Sequence, residues 1–155
     1  MKLGIQDFYP EELSHCFGCG RNNPNGHQLK SYWEGEFTKA KYTPKEFQTA
    51  IAGFVYGGLI ASLIDCHGTG SAALASYKNE HREPGSEPAL RFVTASLNVD
   101  YVKPTPIGVE LILVGKILEI TNKKVITQIE VFANDVITAV GKVVAVKMPD
   151  SFIAK

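Results

Sequence analysis

The residues best suited to chemistry stand close together in the middle of the chain. Asp65 is an acidic residue in an otherwise uncharged stretch, Leu59-Ile60-Ala61-Ser62-Leu63-Ile64-Asp65-Cys66-His67. A carboxylate among small and apolar side chains is costly unless it is paired or working. Two readings stand. It acts as a general base on water or as the nucleophile itself, or it makes a structural hydrogen bond to a nearby serine or threonine. Gly57-Gly58 precedes this stretch at the expected start of a helix, where backbone N–H groups lack intrahelical partners and the dipole favours negative charge. With no side chain in the way, a carbonyl oxygen could approach the main chain there and collect a hydrogen bond as charge develops on it. The same glycines would equally serve tight packing at a helix start.

Other candidates lie nearby. His67 is a second titratable group, but residues two apart point to nearly opposite sides of a helix, so it forms no dyad with Asp65 in one chain. It is more often a satisfied interior residue than a catalyst, and is kept as a minor, substrate-contacting candidate. Cys66 reads as packing, since nothing in the local sequence activates a thiol. The knuckle His15-Cys16-Phe17-Gly18-Cys19-Gly20 has the spacing of half a zinc site, with His27 not far off. Zinc wants four ligands and no second Cys-x-x-Cys pair exists; a His/Cys/Cys/His cluster is conceivable but irregularly spaced, so no metal and no cofactor is expected.

These residues need elements to hold them. From Phe54 to Tyr77 the composition turns to Gly, Ala, Ser, Leu and Ile without proline, which predicts one long helix. Tyr56, Leu59, Ile60, Leu63, Ile64 and His67 share a bulky face, and Gly58, Ser62, Asp65 and Thr69 a small one. A helix packed closely on both sides is central. Before it, Met1 to Gln28 is an irregular lead-in dense in Gly and Asn, and Leu29–Tyr42 reads as a strand pair or a bent strand. Asn79–Pro88 is a surface loop. Beyond it, Arg91–Lys103, Val109–Ile120, Lys123–Phe132 and Val136–Lys147 are rich in β-branched and apolar residues and separated by turn formers. Four successive strands with short connections predict an antiparallel meander that covers the helix.

Bulk properties bound the answer. At 155 residues, 45% apolar and 21% charged, the chain has the size and composition of one globular domain. Lys+Arg and Asp+Glu both number 16, so bulk electrostatics favours neither nucleic acid nor an anionic membrane. Without an apolar leader or a spanning stretch, a cytoplasmic location is expected, with the three cysteines as free thiols.

Gly57-Gly58, the apolar stretch and Asp65 resemble the motif His-Gly-Gly, six residues, Asp of hotdog thioesterases of the phenylacetic-acid-pathway (PaaI-like) type. Tyr101-Val102-Lys103-Pro104 is similar to that family's strand ending in an aromatic, a basic residue and proline. The likeness covers roughly Tyr32 to Lys147, and Cys16-Phe17-Gly18-Cys19-Gly20 with Asn23-Pro24-Asn25-Gly26 also resembles the lead-in of some relatives. Two positions depart from the pattern: Tyr56 stands where the usual histidine precedes the glycines, and Ala50 lies near where some members carry an asparagine.

The resemblance implies an α+β hotdog domain over 29–149, after the lead-in 1–28 and before a tail 150–155. It also implies hydrolysis of an acyl- or aryl-CoA thioester, with Gly57 and Asp65 as catalytic positions and Thr94 assisting the carboxylate. Tyr56, Gly58 and His67 would contact substrate, and Arg91, Lys103 or Lys78 could meet coenzyme A phosphates. A non-catalytic acyl-CoA-binding module and a hotdog hydratase are the alternatives. Gly57 and Asp65 are eight residues apart, about 12 Å along a helix. One reacting carbon cannot touch both, so the site is expected between subunits of a homo-oligomer, a dimer or dimer of dimers.

Overall fold

A 23-residue helix, α1, runs from Gly57 to Asn79. It starts three residues later than its composition predicts because the preceding backbone is used elsewhere. The Val55 amide bonds Thr105 O at 2.9 Å and the Tyr56 amide bonds Gln48 O at 3.2 Å, holding the approach to the helix extended. At the other end His81 adopts a left-handed φ of 54°. There the His81 amide returns to Lys78 O and the Arg82 amide to Tyr77 O, a Schellman closure of the last turn. The computed structural model describes residues 2–152. Met1 and residues 153–155, the end of the expected tail, lie outside the described residues.

Six strands form one antiparallel sheet: β1 (Tyr32–Glu34), β2 (Phe37–Tyr42), β3 (Phe92–Tyr101), β4 (Leu111–Ile120), β5 (Lys124–Ala133) and β6 (Val136–Lys147), in the spatial order β1-β2-β4-β5-β6-β3. The stretch Leu29–Tyr42 therefore resolves into a strand pair. β5 shows the period of two that a half-buried strand needs, with Val125, Thr127, Ile129, Val131 and Ala133 buried between half-buried neighbours. Asn134 and Asp135, both at positive φ, close the β5–β6 hairpin in the hand that matches strand twist.

The expected four-strand meander is corrected in one respect. β4, β5 and β6 are consecutive neighbours, but β3 pairs with the far edge of β6 rather than with β4. The connection from Val102 to Glu110 is no hairpin. Pro104 and Pro106 cannot donate to a ladder, and Thr105 and Pro106 are bonded to the Phe54–Val55 approach of α1. That crossing brings Lys103 and Pro104 to the helix start.

The sheet wraps α1, giving the α+β hotdog architecture. Leu59, Leu63 and Ile64 of the helix are buried with Leu111, Leu113, Ile129 and Val143 of the strands. From Cys66 to Tyr77 every residue of α1 is buried, because the lead-in covers what the sheet does not. Ile5, Tyr9, Cys19 and Leu29 join the same core, so the lead-in, irregular as expected, is packed rather than detached. Among the described residues, no helix is long and apolar enough to cross a membrane.

Candidate active site

Asp65 projects from the third turn of α1, half-buried, where the helix passes under the start of β3. Its carboxylate accepts a hydrogen bond from the Thr94 hydroxyl. The strand is irregular at that point: the β3–β6 register shifts between Thr94 and Ser96, a bulge of the kind that re-aims a side chain. Two residues 29 positions apart are thus brought into direct contact. Both readings of Asp65 survive in one geometry, since the partner is a threonine and the carboxylate remains partly open.

The glycine pair lies elsewhere. Gly57 opens α1, so its amide and that of Gly58 find no acceptor within the helix. Gly57 lines a groove of about 450 Å³ together with Ala50, Phe54, Ile60, Tyr101 and Lys103. The Tyr101 hydroxyl donates to the Gly57 carbonyl at 2.7 Å, fixing the first peptide of the helix. A Cβ on Gly57 would stand 3.2 Å from the Tyr101 ring, and one on Gly58 would stand 2.6 Å from the Tyr56 ring. Main chain is exposed at the groove because the side chains are missing. Neither Asp65 nor Thr94 lines this groove. A second groove of about 460 Å³, bounded by Trp33, Ala75 and Lys78 near the other end of α1, carries no carboxylate and no helix N-terminus.

Other expected residues fall apart from these two places. His67 is wholly enclosed, with Nδ1 2.8 Å from Ser31 Oγ and Nε2 3.2 Å from Thr38 Oγ1. Burial pushes its pKa down to about 4 and keeps the ring neutral. Its expected substrate contact gives way to a structural role, because a ring with no exposed surface and both nitrogens engaged has no route to a ligand. Arg91 stacks on Tyr9, 4.8 Å from the ring centroid, and donates to Phe92 O, so it is not free for a phosphate. Lys78 lies over Trp33, 4.5 Å from its ring centroid, at the second groove. Lys103 alone of the three cations lines the Gly57 groove. Tyr56, two-fifths exposed, stands at the N-cap beside it.

The sequence reading missed one convergence. Cys66, taken as packing, meets Cys16 and Cys19 of the lead-in, and the three sulfurs lie within 4.8 Å of one another. All three are free thiols. A contact between positions 50 residues apart leaves no periodic signal in the sequence.

The fold defines the class: a hotdog protein with a central helix. The sequence model of the Thioesterase superfamily matches residues 52–140, from the approach to α1 into β6. A thioesterase superfamily protein from Shewanella loihica, solved by crystallography, is 51% identical, with 91% of this chain and 100% of that one covered at a TM-score of 0.69. The chain belongs to the thioesterase superfamily, and thioester hydrolysis is the chemistry that membership supports. Two more distant crystal structures share the fold: a thioesterase from Haemophilus influenzae, 11% identical over 84% of this chain and 85% of that one at TM-score 0.66, and thioesterase superfamily member 2 of zebra fish, 16% identical over 81% and 88% at TM-score 0.62. No curated protein matches the sequence.

Proposed function

We propose that the protein hydrolyses an acyl-CoA or aryl-CoA thioester at a site assembled from two subunits. The observation that carries this is the Asp65–Thr94 contact standing apart from the Gly57 groove. The first subunit supplies the Gly57 amide, which stabilises the oxyanion formed when the thioester carbonyl is attacked. The second supplies Asp65, which takes the proton of the attacking water, or itself attacks to form an anhydride that water then cleaves. Collapse of the tetrahedral intermediate breaks the C–S bond, and the departing thiolate leaves as coenzyme A. Thr94 holds the carboxylate's rotamer. The groove of Ala50, Phe54 and Ile60 offers an apolar wall to the acyl or pantetheine chain, and Lys103 offers a cation to the phosphates.

Self-association has support in the sheet. The outer edge of β3 has no partner strand among the described residues, and Leu97 and Tyr101 of β3 expose 39% and 52% of their surface, with Val102 just beyond the strand at 53%. Such an edge invites pairing with another chain. Thiol release measured over short, long and aromatic acyl-CoAs, for the parent and Asp65→Asn, tests the activity. The parent should turn over at least one class, and the nearly isosteric variant should lose orders of magnitude with its circular dichroism unchanged. A variant as active as the parent removes Asp65 from the chemistry. Tight acyl-CoA binding without turnover would select the binding module, a reading favoured by the Tyr56 ring packed against Gly58.

A further inference from the structure

Three thiols from two distant parts of the chain meet on the side of α1 that faces the lead-in. Thioester hydrolysis uses none of them. Cys16 Sγ and Cys66 Sγ are 3.8 Å apart, and Cys19 Sγ completes a triangle whose members all lie within 4.8 Å. In a tetrahedral zinc site with bonds of about 2.3 Å, neighbouring sulfurs stand about 3.8 Å apart. One edge already matches and the others need to contract by no more than about 1 Å. A disulfide would need its sulfurs at about 2.05 Å and would leave the third thiol over.

The backbone is shaped around this triangle. The Gly20 amide closes the turn on Cys16 O at 2.7 Å and the His27 amide bonds Phe17 O at 2.9 Å, so the main chain holds the knuckle in place. A Cβ on Gly18 would lie 2.2 Å from Cys66 Sγ, so only glycine lets the knuckle rest on that sulfur. Charge is provided for as well. Three thiolates with a divalent ion sum to minus one, and the Arg91 guanidinium stacks on Tyr9, which shares the core with Cys19 and Cys66. The Tyr9 hydroxyl is buried and, among the described residues, without a hydrogen-bond partner.

We propose that Cys16, Cys19 and Cys66 form a binding site for a thiophilic divalent ion, zinc being the natural probe, with a solvent molecule or small anion as the fourth ligand. This departs from the expectation of no metal, which weighed the knuckle and His27 but not Cys66. Binding releases the thiol protons of the ligating cysteines to solvent and clasps the lead-in to α1. It is independent of the hydrolase reading.

The test uses the full chain, purified under reducing conditions, stripped by chelator and titrated with zinc against a competing chromophoric chelator. One zinc per chain is expected, and cobalt(II) in its place should give intense sulfur-to-cobalt charge-transfer absorption. Loss of a ligand in Cys19→Ser or in the more exposed Cys16→Ser should weaken zinc by at least about 100-fold, since even outer partners of a metal site account for 10–100-fold. His15→Ala, outside the triangle, should bind as the parent does. Hydrogen exchange should slow across the lead-in on zinc addition. Zinc uptake well below one per chain, an affinity in both serine variants equal to the parent's, or no charge-transfer band in the parent overturns the site. So does a mass two hydrogens short after reducing purification, which would make the cluster a disulfide instead.

Discussion

At the scale of single residues, Asp65 and His67 show how two titratable groups one turn-half apart reach opposite fates. Asp65 faces the start of β3, stays partly open and is held by one hydroxyl. His67 points into the protein, where Ser31, Thr38 and Ser71 form a buried hydroxyl network around its ring. That enclosure has a consequence for pH. His67 has its pKa depressed from 6.5 to about 4 by burial, so above pH 6.5 neither state is protonated and its contribution to stability is complete. Between pH 6.5 and 4 the unfolded chain takes up a proton that the folded chain refuses, and stability falls as pH falls, levelling below 4. The full loss is on the order of 3 kcal/mol at about 1.4 kcal/mol per unit. Thermal melts across this window should show the slope in the parent and a shallower one in His67→Gln. The residual slope belongs partly to His27, whose pKa burial and then Lys45 also lower. Equal slopes in the two proteins would exclude His67 as its source.

At the scale of elements, α1 works because it is thin where it is crowded. Gly68 faces β6, and a Cβ there would stand 2.6 Å from Cβ and both methyls of Val143. Replacing glycine by alanine in a helix interior gains about 1 kcal/mol of intrinsic propensity. Forcing a methyl into a packed interior costs about 1–3 kcal/mol, more where both sides are rigid. Val143 is β-branched and pinned in the β3–β6–β5 ladder, so the clash wins. Gly68→Ala should therefore lower the melting temperature by a few degrees, at roughly 2–4 °C per kcal/mol for a chain this size. A melting temperature raised by that substitution would show that α1 can shift off β6. The same closeness on the other side seats Gln6 and Ser31 against Gly70, which is how the lead-in becomes part of the core.

At the scale of the whole molecule, the proposed composite site turns on the separation of its two candidate halves. Gly57 and Asp65 are about 12 Å apart along α1, and a single reacting carbon needs both within about 3 Å. A second copy is the economical source of the missing half. Subunit mixing distinguishes this from a one-chain site. One inactive parent would carry Gly57→Leu, whose side chain meets the Tyr101 ring, and the other Asp65→Asn. In a mixed two-fold dimer one site inherits both lesions and the other neither, so random exchange should restore about a quarter of wild-type activity. If mass spectrometry shows exchange and activity stays at the parents' background, the composite site is refuted.

The sequence alone determined the helix and five regions of strand or strand pair, because each rests on local signals, and the hotdog class through the likeness of Gly57-Gly58, Asp65 and Tyr101-Val102-Lys103-Pro104 to a known family. Proline-free small-residue composition marks α1, β-branched and apolar composition marks β3 to β6, and turn residues such as Asn134-Asp135 mark the hairpins. It also singled out Asp65 and Gly57-Gly58, since a lone carboxylate and paired glycines are legible without coordinates. Tertiary structure decided the rest. It moved β3 to the far edge of β6, because strand order depends on what the Pro104–Pro106 crossing binds and not on chain order. Through the β3 bulge it gave Asp65 the Thr94 hydroxyl, and it closed His67 inside. It also joined Cys66 to Cys16 and Cys19, a contact no spacing rule encodes, because a sulfur at position 66 and one at position 16 become neighbours only after the lead-in has folded over the helix.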